Sequence, residues 1–303
     1  MSGWKRNLLI VLGALVLAGG GAYYWLIMES HLPSDAKFEL DISEVRKLAD
    51  TLPGDKPVKI DAEHVGTIFF PSTAVVAGDG WSMTPLPVYS YRVDYADGTS
   101  GIIDTTMPDT EGMMQGFDKD AFARVEAALG KARFIVITHE HGDHLGGLAV
   151  YPDFKTIAPS VNLTKEQIDH PEFSQGAALG DEKTKLLTPL VYDKYKAIAP
   201  GVVLIKAAGH SPGSQMVYVR KADGSEVLFL GDVAWHTRNI DTLRERARLV
   251  TMFFLREDRT AVFGQLKALS DLRTAEPKIT IVPGHDGEVI NTLLTDGVLS
   301  KGF

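Results

Sequence analysis

The chain of 303 residues contains no cysteine. Disulfide bonds, thiolate metal sites and a cysteine nucleophile are therefore excluded. Any metal ion that this chain binds must be held by nitrogen and oxygen ligands, which means histidine and carboxylate side chains. A chain of this length buries a core large enough to fold without disulfides, so their absence is compatible with any compartment.

Positive charge is also scarce. The 31 Lys and Arg residues stand against 39 Asp and Glu residues, and the formal net charge is −8. Because phosphate backbones select basic surfaces, this balance argues against a nucleic-acid partner. Internal repeats and low-complexity tracts are absent too, which leaves the composition of an ordinary globular protein.

The longest stretch without charge lies near the N-terminus. Residues 8–28 carry no charged side chain, and Lys5 and Arg6 precede them. At about 1.5 Å per residue, a helix over this stretch crosses a bilayer core of roughly 30 Å. Three aromatic residues at 23–25 suit the membrane interface, and the positive charges place the N-terminus in the cytoplasm. We predict a membrane anchor that holds the rest of the chain outside the cytoplasm, on the periplasmic or extracellular face.

Two other interpretations of this segment stay open. Residues 8–17 also fit the apolar region of a signal peptide, with the small residues AGGGA at 18–22 as the processing site, and the protein is then secreted. The third is a buried core helix, although three consecutive glycines are poor helix formers in water. We predict two parts of the chain, an anchor or signal segment at 1–30 and one domain at 31–303.

Local patterns predict helices and strands along the domain. DISEVRKLAD at 41–50 is a helix capped by Asp41, and FDKDAFARVEAALG is a helix capped by Asp118 and ended by Gly130. TIFFPSTAVVAG and PVYSYRVDYADGTSGIIDTTM are predicted strands, the second containing a hairpin turn at ADG. Two further helices are predicted at 241–258 and 260–273.

Four apolar, strand-like runs each end in a histidine or an aspartate. RFIVIT precedes His139, VVLIKAAG precedes His210, EVLFLG precedes Asp232, and KITIVPG precedes His285. In open α/β architectures, ligands bind outside the carboxyl ends of the strands. We therefore expect these four side chains to share one site.

The first of these strand ends carries an unusual density of imidazole. THEHGDHLGG, at 138–147, brings His139, His141, Asp143 and His144 together, although the whole chain has only nine histidines. Gly142 permits the tight turn that this arrangement needs. Four titratable groups at one strand end repel one another and resist desolvation unless a cation compensates them. Neutral imidazole and carboxylate are suitable ligands for zinc and similar divalent ions, so we predict a metal site.

These residues resemble a known family. THEHGDHLGG matches the H-x-H-x-D-H signature of the metallo-β-lactamase superfamily, and GHSPGSQ, LGD and PGHD resemble its later motifs in the usual order. GIIDT at 101–105 is similar to an early strand end whose Asp is a structural support in many members. The resemblance covers roughly residues 66–287. It implies an α/β fold, a four-layer αβ/βα sandwich of the metallo-β-lactamase type, here preceded by an N-terminal transmembrane helix.

The resemblance also implies a centre with two divalent metal ions. Zinc is the metal that we expect, and manganese, iron and cobalt are the alternatives. The strand ends alone indicate the same residues without allotting them to ions. The implied allotment is His139, His141 and His210 to the first ion, Asp143, His144 and His285 to the second, and Asp232 as the bridge between the two.

A pair of ions that shares one water lowers the pKa of this water to about 7, and the resulting hydroxide attacks an ester-like carbonyl. We predict a metal-dependent hydrolase with a small-molecule substrate of the ester or lactone class, in which Asp143 also relays a proton to the leaving group. True β-lactamases of the superfamily generally lack the bridging Asp, and flavodiiron members carry a glutamate where His141 stands. The chain is most similar to the lactonase and glyoxalase II group.

Two alternatives remain beside the lactonase-like hydrolase. One is a thioesterase of the glyoxalase II type, and the other is a metal-binding sensor or assembly protein without turnover. Trp235, His236 and Arg238 follow the bridging Asp and are candidates for substrate binding. Residues 252–254, MFF, are interpreted as the apolar face of a helix, with an acyl-chain groove as the alternative.

Overall fold

The computed structural model describes residues 3–31, 33–109 and 112–303. Two β-sheets, with helices on their outer faces, make up the domain. The strands are β1 Lys59–Pro71, β2 Met83–Asp94, β3 Ser100–Ile103, β4 Phe134–Val136, β5 Val161–Asn162, β6 Tyr195–Ala199, β7 Val202–Lys206, β8 Gln215–Arg220, β9 Glu226–Phe229, β10 Ile279–Val282 and β11 Ser300–Lys301. The helices are α1 Gly3–Tyr23, α2 Ile42–Ala49, α3 Ser72–Val75, α4 Lys119–Leu129, α5 Gly142–Val150, α6 Phe154–Ile157, α7 Lys165–Asp169, α8 Asp181–Thr184, α9 Thr237–Thr242, α10 Arg248–Val250, α11 Arg259–Ala275 and α12 Gly287–Thr295.

The first sheet has the strand order β11-β1-β2-β3-β4-β5. The long strands β1 and β2 pair antiparallel, with a bulge between His64 and Gly66, and β2 also pairs antiparallel with β3. β3, β4 and β5 are parallel, so the carboxyl ends of β3 and β4 meet at the same edge. Asp104 and the THEHGDH motif follow those two strands and therefore come together.

The second sheet has the order β10-β9-β8-β7-β6. β9 and β10 are parallel, which brings the segments after Phe229 and Val282 side by side. β7 and β8 form an antiparallel hairpin, and its turn carries His210. The four apolar runs predicted from the sequence are the strands β4, β7, β9 and β10. Each of them ends at the edge of the sheets where the THEHGDH motif lies.

The core is divided into layers by the two sheets. One buried cluster, with Val93, Val136, Leu204 and Phe229 among its members, lies between the sheets. A second packs the other face of the second sheet against α2, α9 and α11, and a third packs the first sheet against α4 and α5. The order is helices, sheet, sheet, helices, which confirms the predicted four-layer αβ/βα sandwich.

The N-terminal helix stands apart from this core. α1 contains no buried residue, and a π-helical turn, Tyr24–Met28, continues it to the domain surface. The interpretation as a core helix is therefore wrong, since a core helix is mostly buried. The helix Gly3–Met28 is long and apolar enough to cross a membrane, although a signal sequence has the same properties.

Two predicted elements differ from the structure. The strand prediction at 67–78 holds only as far as Pro71, because residues 72–75 turn into α3. The single helix predicted at 241–258 is broken: α9 ends before Leu243, which adopts a left-handed φ of 49°, and α10 and a π-helical turn follow. Buried ion pairs of Glu245 and Arg246 hold this segment in place of helical hydrogen bonds.

The predicted helix caps are observed. The Asp41 carboxylate accepts from the backbone N–H groups of Ser43 and Glu44 at the start of α2. Asp118 caps α4 in the same way, and α4 ends where Gly130 follows it. Each cap satisfies N–H groups that have no partner within the helix.

Candidate metal centre

The first motif is positioned by close packing of α5 against the end of β3. His141 is the N-cap residue of α5, so Asp143 and His144 lie in the first turn of this helix. A Cβ on Gly147 would lie 2.1 Å from the carbonyl oxygen of Thr105, so only glycine permits this approach. Gly284 is required for a similar reason, because its Cβ would meet Asp232 Oδ1 at 2.3 Å.

Seven side chains converge at this edge of the two sheets. Their ligand atoms form three overlapping groups, and the atoms within each group lie within 4.8 Å of one another. Six of the seven residues are buried, and Asp143 is nearly so. The members are His139, His141, Asp143, His144, His210, Asp232 and His285.

Several polar atoms of this cluster lack a hydrogen-bond partner. Among the described residues, His139 Nε2, His144 Nε2 and Asp232 Oδ1 are fully buried and make no hydrogen bond. Leaving a buried polar atom unpaired costs about 1–3 kcal/mol. All three atoms belong to residues of the ligand groups described above, and divalent cations bound by those groups would satisfy them. The donor set therefore fits zinc and similar ions.

The surroundings of the cluster lower the pKa of two of its histidines and raise the pKa of two others. Burial lowers the pKa of His139 and His141 well below the usual value and favours the neutral imidazole that coordinates metal. Burial acts the same way on His144 and His285, but the facing carboxylates outweigh it and raise both pKa values. For Asp232, burial raises the pKa, and the surrounding imidazoles more than reverse this effect. Because a cation must displace protons from such a cluster, its affinity rises with pH.

Asp104 orients the His144 ring through Nδ1, the ring nitrogen that does not face the cluster. Its Oδ2 lies 2.8 Å from His144 Nδ1 and also accepts from Thr138 Oγ1 at 2.8 Å, while its Oδ1 accepts from the Thr138 backbone at 2.6 Å. A carboxylate in this position favours the tautomer with a proton on Nδ1, which leaves Nε2 free to face the cluster. Asp104 itself has a left-handed φ of 59°, a conformation that Asp and Asn tolerate.

We expect Asp104→Asn to lower the affinity for metal by about 10- to 100-fold, the usual effect of losing such a partner. Asn keeps the left-handed backbone, but its NH₂ group can face Nδ1 and then favours the wrong tautomer of His144. Competition with a chelating dye measures the affinity. Asp97→Asn, in the exposed turn between β2 and β3, is the control and should leave the affinity for metal unchanged. Equal affinities of D104N and wild type would remove this role from Asp104.

Two charged residues that the sequence did not reveal support His210. Glu257 Oε1 lies 2.5 Å from His210 Nδ1, and Arg246 Nη2 lies 3.3 Å from the same carboxylate oxygen. Arg246 also donates to the backbone carbonyl of Asp232, and both charged side chains have no exposed surface. No local pattern distinguishes them from the charged face of a helix, because their burial depends on strands far away in sequence.

The three predicted substrate-binding residues lie in two different places. Trp235 is buried beside the cluster, and its Nε1 donates to Asp232 Oδ2 at 2.6 Å. His236 and Arg238 instead line a separate open cleft of about 1010 Å³ that includes none of the seven cluster residues. There His236 Nδ1 lies 3.1 Å from Asp286 Oδ2, and Arg238 pairs with Asp79.

A smaller cavity of about 110 Å³ lies directly over the cluster. Asp143, Asp232 and His285 form its floor, and apolar side chains form most of its walls. The wall residues include Ile68, Phe70, Leu86, Met107, Met113, Trp235, Phe254 and Leu255. This cavity, and not the larger cleft, touches the residues that can hold a metal.

Comparison with known proteins identifies the family. The sequence profile of the Metallo-beta-lactamase superfamily matches residues 83–285, which is more than half of the chain. The chain therefore belongs to this superfamily. The match confirms the resemblance drawn from the motifs and, with it, the predicted class of enzyme, a metal-dependent hydrolase.

Curated relatives include the N-acyl homoserine lactonase AiiA of Bacillus thuringiensis subsp. kurstaki. It is 25% identical over 222 residues, which cover 67% of this chain and 82% of the relative. An N-acyl homoserine lactonase of a Bacillus species is 22% identical over the same share of both chains.

Solved structures show the same fold. A quorum-quenching N-acyl homoserine lactone lactonase superposes with a TM-score of 0.61 at 19% identity, covering 77% of this chain and 94% of that one. AidC, a dizinc quorum-quenching lactonase, superposes with a TM-score of 0.53 at 15% identity, covering 78% and 92%. At these identities the likeness establishes the metallo-β-lactamase fold of this chain.

Proposed function

We propose that this chain is a dinuclear metallohydrolase that opens an ester-like carbonyl compound, with a lactone as the favoured substrate. The observation that carries the proposal is the position of Asp232. Its two carboxylate oxygens face two different groups of ligands, as a bridging carboxylate must.

The distances support one allotment of ligands. Asp232 Oδ2 lies 3.6 Å from His139 Nε2 and 3.5 Å from His210 Nε2, and His141 Nδ1 lies 2.9 Å from the same His210 nitrogen. These residues would hold the first ion. Asp232 Oδ1 lies 3.3 Å from His144 Nε2.

The remaining ligands lie on the Oδ1 side of the bridge. His285 Nε2 is 3.2 Å from Asp232 Oδ1, and Asp143 Oδ2 is 3.4 Å from His285 Nε2 and 3.6 Å from His144 Nε2. Asp143, His144 and His285 would therefore hold the second ion together with the bridge. Zinc is the metal that we propose, with manganese, iron and cobalt accepted by the same donors.

Bound divalent ions lower the pKa of a water molecule and polarise a carbonyl oxygen. The chain's own residues orient this chemistry. The indole of Trp235 fixes the Asp232 carboxylate, and the apolar walls of the cavity exclude bulk water from the reacting carbonyl. Asp143 is partly exposed at the cavity floor, and we assign to it the delivery of a proton to the leaving oxygen. An Asp143→Ala variant that keeps its metals and full activity would remove this role.

The substrate class follows from the walls of the cavity and from the relatives. An apolar cavity with carboxylates only at its floor suits a neutral, partly hydrophobic ester better than an anionic thioester or phosphodiester. The relatives named above act on homoserine lactones, which belong to this class. A glyoxalase II-like thioesterase needs lysine or arginine around the entrance, and the cavity lining contains neither among the described residues.

For location, we propose that residues 1–30 anchor the chain in a membrane and that residues 31–303 form the hydrolase domain outside the cytoplasm. The exposed apolar surface of α1 supports a lipid environment, and Lys5 and Arg6 support a cytoplasmic N-terminus. Cleavage at 18–22, followed by secretion, is the alternative.

The proposal predicts metal-dependent hydrolysis of lactones. The full chain, purified in detergent, is assayed against lactones, thioesters, nitrocefin and phosphodiesters, first as isolated, then after chelation, and again after addition of zinc. We expect lactone turnover that chelation abolishes and zinc restores. Turnover of phosphodiesters alone would contradict the substrate class. Bound metal without turnover of any substrate would favour the alternative of a metal-binding sensor or assembly protein.

A further inference from the structure

The end of the apolar helix is fixed to one place on the domain. The carbonyl oxygen of Ile27 accepts from Gly78 N at 3.0 Å and from Thr73 Oγ1 at 3.3 Å, and the Ile27 side chain is buried. The Arg248 guanidinium lies 4.8 Å from the Trp25 ring centre, and Arg248 Nε donates to the Trp25 carbonyl at 3.2 Å. These contacts determine where the helix leaves the domain.

Exposed apolar side chains lie on the segments that contact this exit. Trp81 Nε1 donates to Tyr23 OH at 3.2 Å, and the segment after Arg248 follows directly on the residue that contacts Trp25. Phe253 is 69% exposed and Phe254 59%, which is unusual for adjacent large aromatic residues. We name these side chains the exit rim: Trp25, Trp81, Leu249, Met252, Phe253 and Phe254.

The exit rim reaches the metal centre. Phe254 belongs to the rim and also lines the cavity over the cluster. Its ring centre lies 6.2 Å from that of Phe70, which lies 5.8 Å from Trp235. Trp235 in turn lies 6.1 Å from His285. A continuous row of aromatic rings therefore joins the exposed rim to a residue of the cluster.

We infer that the exit rim rests in the interface of the lipid bilayer that α1 crosses, so that the cavity opens at the membrane surface and receives amphiphilic substrates from the lipid. This inference rests on the proposed anchor. Because the helix enters the bilayer at the exit, the side chains beside the exit come close to the membrane interface. Trp favours the interface, and Phe and Leu insert at the boundary between headgroups and acyl chains.

A bilayer accounts for the rim better than a second copy of the chain does. α1 has no buried residue along 21 positions, and two members of the rim lie at its end: Trp25 follows it, and Trp81 donates to its last residue, Tyr23. A partner that covered the rim would also have to accommodate the emerging helix. A bilayer covers both surfaces at once.

The chain's lack of cysteine makes a direct test possible. Single cysteines are introduced in the full chain by Phe253→Cys, Leu15→Cys and Ala96→Cys, labelled with an environment-sensitive fluorophore, and reconstituted in phospholipid nanodiscs. Quenching by lipids with a nitroxide on the acyl chain is then measured. Leu15 lies within α1, and Ala96 is exposed in the β2–β3 turn, at the end of that sheet away from the cluster.

We expect strong quenching at 15, clear quenching at 253 and none at 96. Quenching at 15 with none at 253 would overturn the inference while leaving the anchor intact. Absence of quenching at 15 would overturn the anchor and the inference together. Neither result depends on turnover, so a failure of the proposed hydrolase is recognised separately in the substrate assay.

A kinetic measurement tests the route of the substrate. We expect Phe253→Ser in nanodiscs to raise KM several-fold for lactones with long acyl chains and to leave KM for short-chain lactones unchanged. Phe253 is exposed and does not line the cavity, so the basal reaction should persist. Val191→Ser, at an exposed apolar residue that lies in neither the rim nor the cavity, is the matched control. Equal effects of F253S on both chain lengths would contradict delivery from the lipid.

Discussion

Asp232→Asn should abolish turnover and release metal from this protein. An amide keeps one oxygen but replaces the other with an NH₂ group that cannot coordinate a cation, so the link between the two ligand groups is lost. We expect kcat/KM to fall by at least about a thousandfold, because several kcal/mol of transition-state stabilisation are lost at about 1.4 kcal/mol per tenfold change in rate. Elemental analysis and lactone hydrolysis on the same sample measure both effects.

Asp286→Asn is the matched control for this substitution. Asp286 is also buried and follows His285 directly, but its carboxylate accepts from the backbone N–H groups of Thr237 and Val289. Asn keeps the cap bond from Val289 N–H and loses the bond from Thr237 N–H, so this variant should lose some stability but keep its metal and its activity. A D232N variant that retains full activity and a normal metal content would contradict the bridging role.

Arg246→Met should destabilise the domain more than any surface substitution of an arginine. Arg246 and Glu257 are fully buried, and removing one partner of a buried ion pair costs about 3–5 kcal/mol. At roughly 2–4 °C per kcal/mol for a domain of this size, the apparent Tm should fall by about 10 °C. Thermal unfolding of the full chain in detergent, followed by circular dichroism, measures the shift.

Two further variants separate the ion pair from general damage to the core. Arg246→Met combined with Glu257→Gln should recover part of the lost Tm, because it leaves no buried charge unpaired, although the Asp232 carbonyl still lacks the Arg246 donor. Arg220→Met removes a partly exposed pair with Asp50 and should change the free energy of unfolding by no more than about 1 kcal/mol. If the double variant is no more stable than R246M, the unpaired charge of Glu257 does not cause the loss of stability in R246M.

The parts of the fold that the sequence predicted are those with a local signal. Alternation, helix caps and glycine turns identified most strands and the helices α2, α4 and α11. The convergence of His139, His210, Asp232 and His285 could be predicted because each follows an apolar run, and parallel strands end at the same edge.

The parts that could not be predicted depend on contacts between distant residues. The pattern at 241–258 has helical periodicity, yet burial of Arg246 against His210 and Asp232 breaks the helix. For the same reason, Phe253 and Phe254 look like a helix face that packs inward, whereas the π-helical turn leaves them exposed. A one-dimensional pattern does not reveal which charges a tertiary fold will bury.

Counting metal ions tests the central claim most directly. The wild-type full chain is equilibrated with zinc, freed of loosely bound ions, and its metal content is measured by mass spectrometry against protein concentration from amino-acid analysis. We predict two ions per chain, and a content well below two for D232N. One ion or none in the wild-type chain would contradict the dinuclear centre.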